Sequence, residues 1–297
     1  MKTSHINYSA WLLLILLSLI WGSSFILIKK ALIAFDPVDV GAARIVFAFL
    51  AFLPIFIAKF NRIDWKDFKW FLLVGLCGSG FPSFLYSIAQ THIDSAVAGV
   101  LNSLTPIFTF ILAIVLFKHA FTVRQFSGVI IGFLGVLLIF MTKIDGQAAF
   151  PFLYGFMIIL ATISYAISAN TVGRFLKNTD PILISTLSFI LIGPFVLGYL
   201  LQSGFTYQLM HHEQALTSFS ALLILSLVGT FGANILFFKL VQITDAVFST
   251  TVSFLIPFVA LFWGFVDGES LQWIHLVAVL LILGGVFLIK KKEPAKA

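Results

Sequence analysis

The hydrophobic positions of this chain fall in long continuous runs separated by short polar stretches. A barrel strand would instead alternate apolar and polar residues. About 20 consecutive apolar residues suffice for a helix to cross a bilayer. On that basis the pattern predicts ten membrane-spanning helices, over residues 9–28, 38–58, 70–90, 96–117, 125–142, 152–172, 181–201, 219–239, 246–266 and 272–290. The connections are short. The longest, residues 202–218, leaves no room for a soluble catalytic domain. An apolar run follows Lys2 as in a signal peptide, but Trp21-Gly22-Ser23-Ser24 and Lys29-Lys30 come next in place of a small-x-small cleavage site. The expectation is a retained first helix.

Composition supports the same class. Hydrophobic residues make up 60% and charged residues 10% of the 297 positions, with a mean hydropathy of +1.09. Soluble domains average about 45–50% and about 25%. The single cysteine, Cys77, excludes an intrachain disulfide. Basic residues then orient the helices. With the N-terminus inside, only Lys29, Lys30, Arg44 and Lys143 fall on the far side, and every other Lys and Arg is cytoplasmic. Such a bias predicts that both termini are cytoplasmic. The Lys290-Lys291-Lys292 run serves as a topology anchor at the anionic leaflet.

The chain also repeats itself. The stretch from Ser95-Ala96 to Pro106 has a relative from Asp245-Ala246 to Pro257, and Gly135-Val136 matches Gly285-Val286 at the spacing that relates the two alanines. Trp21-Gly22-Ser23 aligns with Tyr165-Ala166-Ile167 at the same spacing as Asp36-Pro37 with Asp180-Pro181. Each half holds five helices, an odd number, so the halves lie in opposite orientations. Inverted repeats of this kind support alternating access, with interrupted helices at the binding site. Pro106 and Pro257 each remove a backbone hydrogen bond inside an apolar run and are the expected hinges. Asp36-Pro37 and Asp180-Pro181 predict helix starts, with Asp as cap and Pro in the first turn. Gly128 and Gly132, extended by Gly135, predict close helix packing in the fifth helix.

These features together resemble the EamA-type transporters of the drug/metabolite transporter superfamily. The resemblance rests on Trp21-Gly22-Ser23-Ser24-Phe25, Lys29-Lys30, Ala43-Arg44, the Pro-centred fourth and ninth helices, the Asp267-Gly268-Glu269 turn and the Gly-rich closing helices. It implies an all-α membrane protein of ten helices in two inverted five-helix repeats, residues 9–142 and 152–290. It also implies transport, frequently outward, of small metabolites such as amino acids or related compounds. One departure is visible: the first half has Lys118-His119 where the second has Gly268-Glu269.

Candidate chemistry is sparse. Polar residues within spans should face the bundle interior, because an amide or phenol in lipid needs a partner. Ser24, Tyr86, Asn102, Tyr165, Asn170 and Asn234 meet that description, and Trp21 occupies the repeat position of Tyr165. These seven are the expected cavity residues, with helix–helix hydrogen bonding or packing as the plainer role for each. Lys239 is either a snorkelling anchor or a gating and anion-binding group. Arg44 either pairs with Asp36 or Asp39 or contacts a substrate carboxylate. No carboxylate lies near a midplane; Asp94, Asp245, Asp267 and Glu269 sit at helix ends, so proton coupling would need these or His92, His119 or His275.

His211-His212-Glu213 lacks the HExxH spacing, so no metal is expected, and without a Walker loop neither ATP nor another cofactor is expected. The partners expected are the lipid bilayer of the cytoplasmic membrane and a small-molecule substrate, with no nucleic acid. Two alternatives are an intramembrane enzyme, for which Ser79 in Gly78-Ser79-Gly80 would be the nucleophile, and a non-transporting sensor on the same fold.

Overall fold

A computed structural model describes residues 8–93, 95–116, 122–141, 152–266 and 273–289. Lys2, Asp94, Lys118-His119, Lys143, the Asp267-Gly268-Glu269 turn, Lys290-Lys291-Lys292 and Lys296 lie outside the described residues, as does the side chain of His275. Among the described residues all regular structure is helical. The helices are α1 (Tyr8–Ala31), α2 (Pro37–Lys59), α3 (Trp65–Ala89), α4a (Ser95–Asn102), α4b (Thr105–Val115) and α5 (Val123–Met141), followed by α6 (Phe152–Phe175) and α7 (Pro181–Leu200). After a short surface helix, Phe205–His211, come α8 (Ala215–Ile243), α9a (Ala246–Thr250), α9b (Val252–Val266) and α10 (Trp273–Ile289). Seven apolar helical stretches are long enough to cross a membrane, and those of α5, α9 and α10 are shorter among the described residues. Large apolar side chains such as Ile57, Phe195 and Leu280 lie on the outside, as expected of a surface that meets lipid. This is a multi-pass membrane protein.

Helix starts follow local chemistry. Asp180 caps α7 by accepting the Ile182 N–H at 2.9 Å, and Asp245 caps α9a by accepting the Phe248 N–H at 2.8 Å. Asp36 departs from the expectation. Its carboxylate accepts from Gln208 Nε2 at 2.7 Å and makes no side-chain cap on α2. Pro37 in the first turn still fixes the helix entry. At the other end of α2, Lys59 pairs with Asp180 at 2.8 Å. Burial works to raise the Asp180 carboxyl. The Lys59 and Ile182 hydrogen bonds and the Lys59 charge outweigh it and hold the group below its usual range.

The packing has a pattern. Helix α1 lies against α8 and α9b, as α6 lies against α3 and α4b; α2 lies against α7, and α5 against α10. Two helices carry a π turn, Leu76–Gly80 in α3 and Leu227–Gly232 in α8. Both fall on a Leu-x-Gly-(Ser/Thr) sequence: Leu76-Cys77-Gly78-Ser79 and Leu227-Val228-Gly229-Thr230. A π turn takes carbonyls off the regular ladder and recurs at functional sites.

The α5–α10 seam depends on glycine. A Cβ on Gly128 would stand 2.7 Å from the Gly285 carbonyl oxygen, and one on Gly285 would meet the backbone at Gly128 and Gly132. Backbone cannot move aside as a side-chain tip can, so the seam needs hydrogen at these positions. Gly285→Val is therefore expected to cost about 1–3 kcal/mol and to lower the thermal midpoint of the purified protein in detergent. An unchanged midpoint would show that the helices do not meet this closely.

Candidate functional site

A cavity with about 810 Å³ of empty space, its open mouth included, lies between α1, α2, α3, α4, α6, α8 and α9. Its lining mixes apolar side chains, Phe25, Ile28, Phe237, Phe238, Val252 and Ile256, with the polar Arg44, Tyr86, Asn102, Tyr165, Ser168 and Asn234, and Phe25 meets Tyr86 with ring centroids 5.9 Å apart. Trp21 and Ser24 complete the lining from α1.

Arg44 organises the polar part of the lining. It is 9% exposed and donates from Nε to Thr230 Oγ1 at 2.6 Å. Thr230 in turn donates to the Leu225 carbonyl, which the π turn of α8 has brought within 3.2 Å. The Arg44 charge also bears on the Tyr165 and Tyr86 hydroxyls. Neither expected acid partner reaches it. Asp39 accepts from the Tyr199 hydroxyl at 3.1 Å and Asp36 is engaged by Gln208. Among the described residues, the ion pairs are Lys59–Asp180 and Lys66–Asp64, so no carboxylate neutralises Arg44. A lone cation in the middle of a span costs ~2.5–3.5 kcal/mol or more.

Hydrogen bonds fix the remaining polar lining. Tyr86 donates to Asn102 Oδ1 at 2.7 Å, and Thr105 Oγ1 donates to the Asn102 carbonyl at 2.6 Å. The latter is the carbonyl that the missing N–H of Pro106 leaves open. Trp21 Nε1 donates to the Gly229 carbonyl of the α8 π turn at 2.9 Å. Asn234 Nδ2 donates to the Thr230 carbonyl at 2.7 Å and to Ser79 Oγ at 3.5 Å. Tyr86 and Tyr165 stack with centroids 6.1 Å apart, and Trp21 meets Phe237 at 5.2 Å. Ser24 turns back to the Ile20 carbonyl at 3.0 Å.

Of the sequence candidates, Trp21, Ser24, Tyr86, Asn102, Tyr165, Asn234 and Arg44 therefore converge on one cavity. Asn170 does not. Its amide joins α6 to α4b by donating to the Thr109 carbonyl at 3.0 Å, a packing role. Lys239 is exposed outside the cavity, because Phe237 and Phe238 turn the neighbouring face of α8 inward. Pro106 begins α4b directly after the break at Ser103-Leu104. Pro257 differs, since the break in α9 falls at Thr251 and Pro257 lies inside the helix that follows.

Ser103, Ser168 and Thr230 are cavity-region residues that sequence reasoning missed. The available signal was the repeat itself. Extending the Trp21–Tyr165 alignment pairs Ser24 with Ser168, and aligning the two Leu-x-Gly motifs pairs Ser79 with Thr230. Among the described residues no cluster of His, Cys, Asp or Glu offers a metal site, and the partner of Ser79 is an amide, not an imidazole.

A multi-helix membrane protein with a half-polar, half-apolar cavity at its broken helices has the form of a small-molecule carrier. The sequence profile of the EamA-like transporter family matches residues 9–141 and again 153–290, so the chain belongs to that family and is a transporter, not an enzyme. It is 29% identical to an uncharacterized transporter of Bacillus subtilis, over 95% of this chain and 93% of that one. It is 26% identical to a Salmonella typhimurium protein named "probable amino-acid metabolite efflux pump", over 93% of each chain. An Archaeoglobus fulgidus transporter is 28% identical over 61% of this chain and 63% of its own length. A solved structure shares the fold at a TM-score of 0.69 and 15% identity, covering 95% of this chain and 96% of that one.

The broken helices of the cavity also meet each other. Ser103 Oγ donates to the Ser253 carbonyl at 2.9 Å, the group that lacks its helical partner because Pro257 has no N–H. Ser103→Ala leaves that buried carbonyl unsatisfied, at a cost of about 1–3 kcal/mol. Adding Pro257→Ala restores an N–H in reach and should recover most of the loss. A thermal-unfolding double-mutant cycle measures this coupling; additivity within about 0.5 kcal/mol would contradict it.

Proposed function

We propose that this protein exports small carboxylate-bearing metabolites, amino acids or related compounds, across the cytoplasmic membrane by alternating access around the cavity. In this reading residues 9–142 and 152–290 are two inverted five-helix repeats, giving ten spans with both termini cytoplasmic. Several observations support it. The family profile matches once in each half. The helix contacts described above are preserved when α1–α5 are exchanged for α6–α10. The π turns occupy equivalent places in α3 and α8, and the equivalent helices α4 and α9 are both broken. One relative's name refers to amino-acid metabolite efflux.

The observation that carries the reading is Arg44, buried on the cavity wall with a hydroxyl partner and no carboxylate among the described residues. A substrate carboxylate would supply the missing charge through a planar, two-point contact. Arg44 then acts as substrate ligand, Tyr86, Asn102, Tyr165 and Asn234 as orienting groups, and Trp21 with the phenylalanines as the seat for the apolar part. The interruptions of α4 and α9, with Pro106 and Pro257 beside and beyond them, would allow these helices to bend as one repeat rocks against the other. Lys239 serves as an interfacial anchor.

The test is flux of small carboxylates from proteoliposomes. Arg44→Gln is expected to lower it at least tenfold, since loss of a buried charged hydrogen bond is worth about 1.5–3 kcal/mol, while Lys239→Met should leave it unchanged. Wild-type flux in Arg44→Gln would remove the guanidinium from substrate binding and with it this account of the cavity.

A further inference from the structure

The inventory of charges and free hydrogen-bonding groups in the cavity narrows what it holds. Among the described lining residues Arg44 alone carries a formal charge. The neutral groups still unengaged are one hydroxyl, one amide donor and one amide acceptor. Ser168 is 2% exposed and lines the cavity, and its Oγ has no hydrogen-bond partner among the described residues. Asn102 receives the Tyr86 and Thr105 hydroxyls on its Oδ1, which leaves its Nδ2 unengaged among the described residues. On the acceptor side, Asn234, also in the lining, has its Nδ2 held by Thr230 and Ser79, and its Oδ1 has no partner among the described residues.

Position adds to this. Ser168 lies one turn along α6 from Tyr165, which sits beside Arg44. Asn234 lies one turn along α8 from Thr230, the Arg44 partner. Neighbours at that spacing are about 5–6 Å apart, the reach of a group on the carbon next to a carboxylate. A hydroxyl or an acylamino group at that carbon carries both a donor for Asn234 Oδ1 and an acceptor for the Ser168 hydroxyl, and a keto oxygen accepts from Ser168. An ammonium could also donate to Asn234, but it would stand beside Arg44 as like charge to like charge, with no described carboxylate to balance it.

Resting on the reading of Arg44 as the carboxylate site, we infer that the cavity selects net monoanions over zwitterions. The preferred substrates are small carboxylates with a neutral 2-hydroxy, 2-oxo or N-acylamino group and an apolar body seated against Phe25, Ile28 and Phe237. Gly78 keeps the site open, since a Cβ there would lie 2.6 Å from Ser168 Oγ.

The test compares two compound series on the purified full-length protein, one with the phenylalanine skeleton and one with the leucine skeleton. Each contains the 2-hydroxy acid, the N-acetyl amino acid, the deoxy acid, the free amino acid and the decarboxylated amine, and binding is read as ligand-dependent thermal stabilisation. In at least one series the 2-hydroxy and N-acetyl acids should bind at least tenfold more tightly than the amino acid, with no response to the amine. Arg44→Gln should abolish this response and Arg44→Lys retain part of it, each variant first shown to elute as a monodisperse species. Ser168→Ala should weaken the 2-hydroxy acid several-fold and leave the deoxy acid unchanged. Amino acids binding as well as the hydroxy acids, with Arg44→Gln still abolishing the response, would overturn the monoanion inference and leave the carboxylate site standing. If no carboxylate in either series binds, or if Arg44→Gln binds them like wild type, both fall.

Discussion

In hydrocarbon no water is present to complete a backbone hydrogen bond, so every departure from a regular helix has to be answered by another part of the protein. The cavity is assembled from such answers. Pro106 leaves the Asn102 carbonyl to the Thr105 hydroxyl, and Pro257 leaves the Ser253 carbonyl to Ser103 of the other broken helix. The α8 π turn offers its Gly229 carbonyl to the Trp21 indole and its Leu225 carbonyl to Thr230. Helix breaks, π turns and polar side chains therefore gather in one place. Helices α1 and α6, which carry no proline, run as unbroken α-helices and line the cavity with side chains alone.

The same constraint governs charge. Thr230, positioned by the π turn, is the hydroxyl that holds Arg44 at the cavity wall. A hydroxyl is a modest partner for a buried guanidinium, and the acids at the start of the same helix are committed elsewhere, Asp39 to Tyr199 and Asp36 to Gln208. The family assignment makes the protein a transporter; the geometry around Arg44 is what gives that assignment a chemical direction. Phe25, Phe237 and Phe238 add apolar area to the same lining.

Seven of the expected spans are legible as long apolar helices, because a membrane helix needs only length and apolarity. The expected run 38–58 is α2 at Pro37–Lys59, and 181–201 is α7 at Pro181–Leu200. Helix α8 is longer than its apolar core, Ala215–Ile243 against 219–239, since Ser218 and Gln242 extend it while bonding to the Lys30 and Leu176 carbonyls. Cavity residues with amides or phenols could be guessed, because such groups are costly in lipid wherever they lie. Facing direction could not. When nearly every position is apolar, periodicity no longer separates inside from outside, so Lys239 and Asn170 were indistinguishable from Arg44 and Asn234. Serine and threonine were hidden for a further reason: each can satisfy itself on its own helix, as Ser24 does on Ile20, so only coordinates single out Ser168, which does not. A proline marks an open carbonyl and not the place of a break: Ser103 closes the one below Pro257, and the α9 break falls at Thr251.

The central claim is that a substrate carboxylate sits on Arg44 with its apolar body against Phe25, Ile28 and Phe237. The most direct measurement is a structure of the protein bound to 3-(4-bromophenyl)-2-hydroxypropanoate, with the bromine located by its anomalous scattering. The account predicts a bromine peak among Phe25, Ile28 and Phe237, and carboxylate oxygens within hydrogen-bonding distance of the Arg44 guanidinium. A ligand lodged elsewhere in the protein, or one in the cavity with its carboxylate turned away from Arg44, would contradict it.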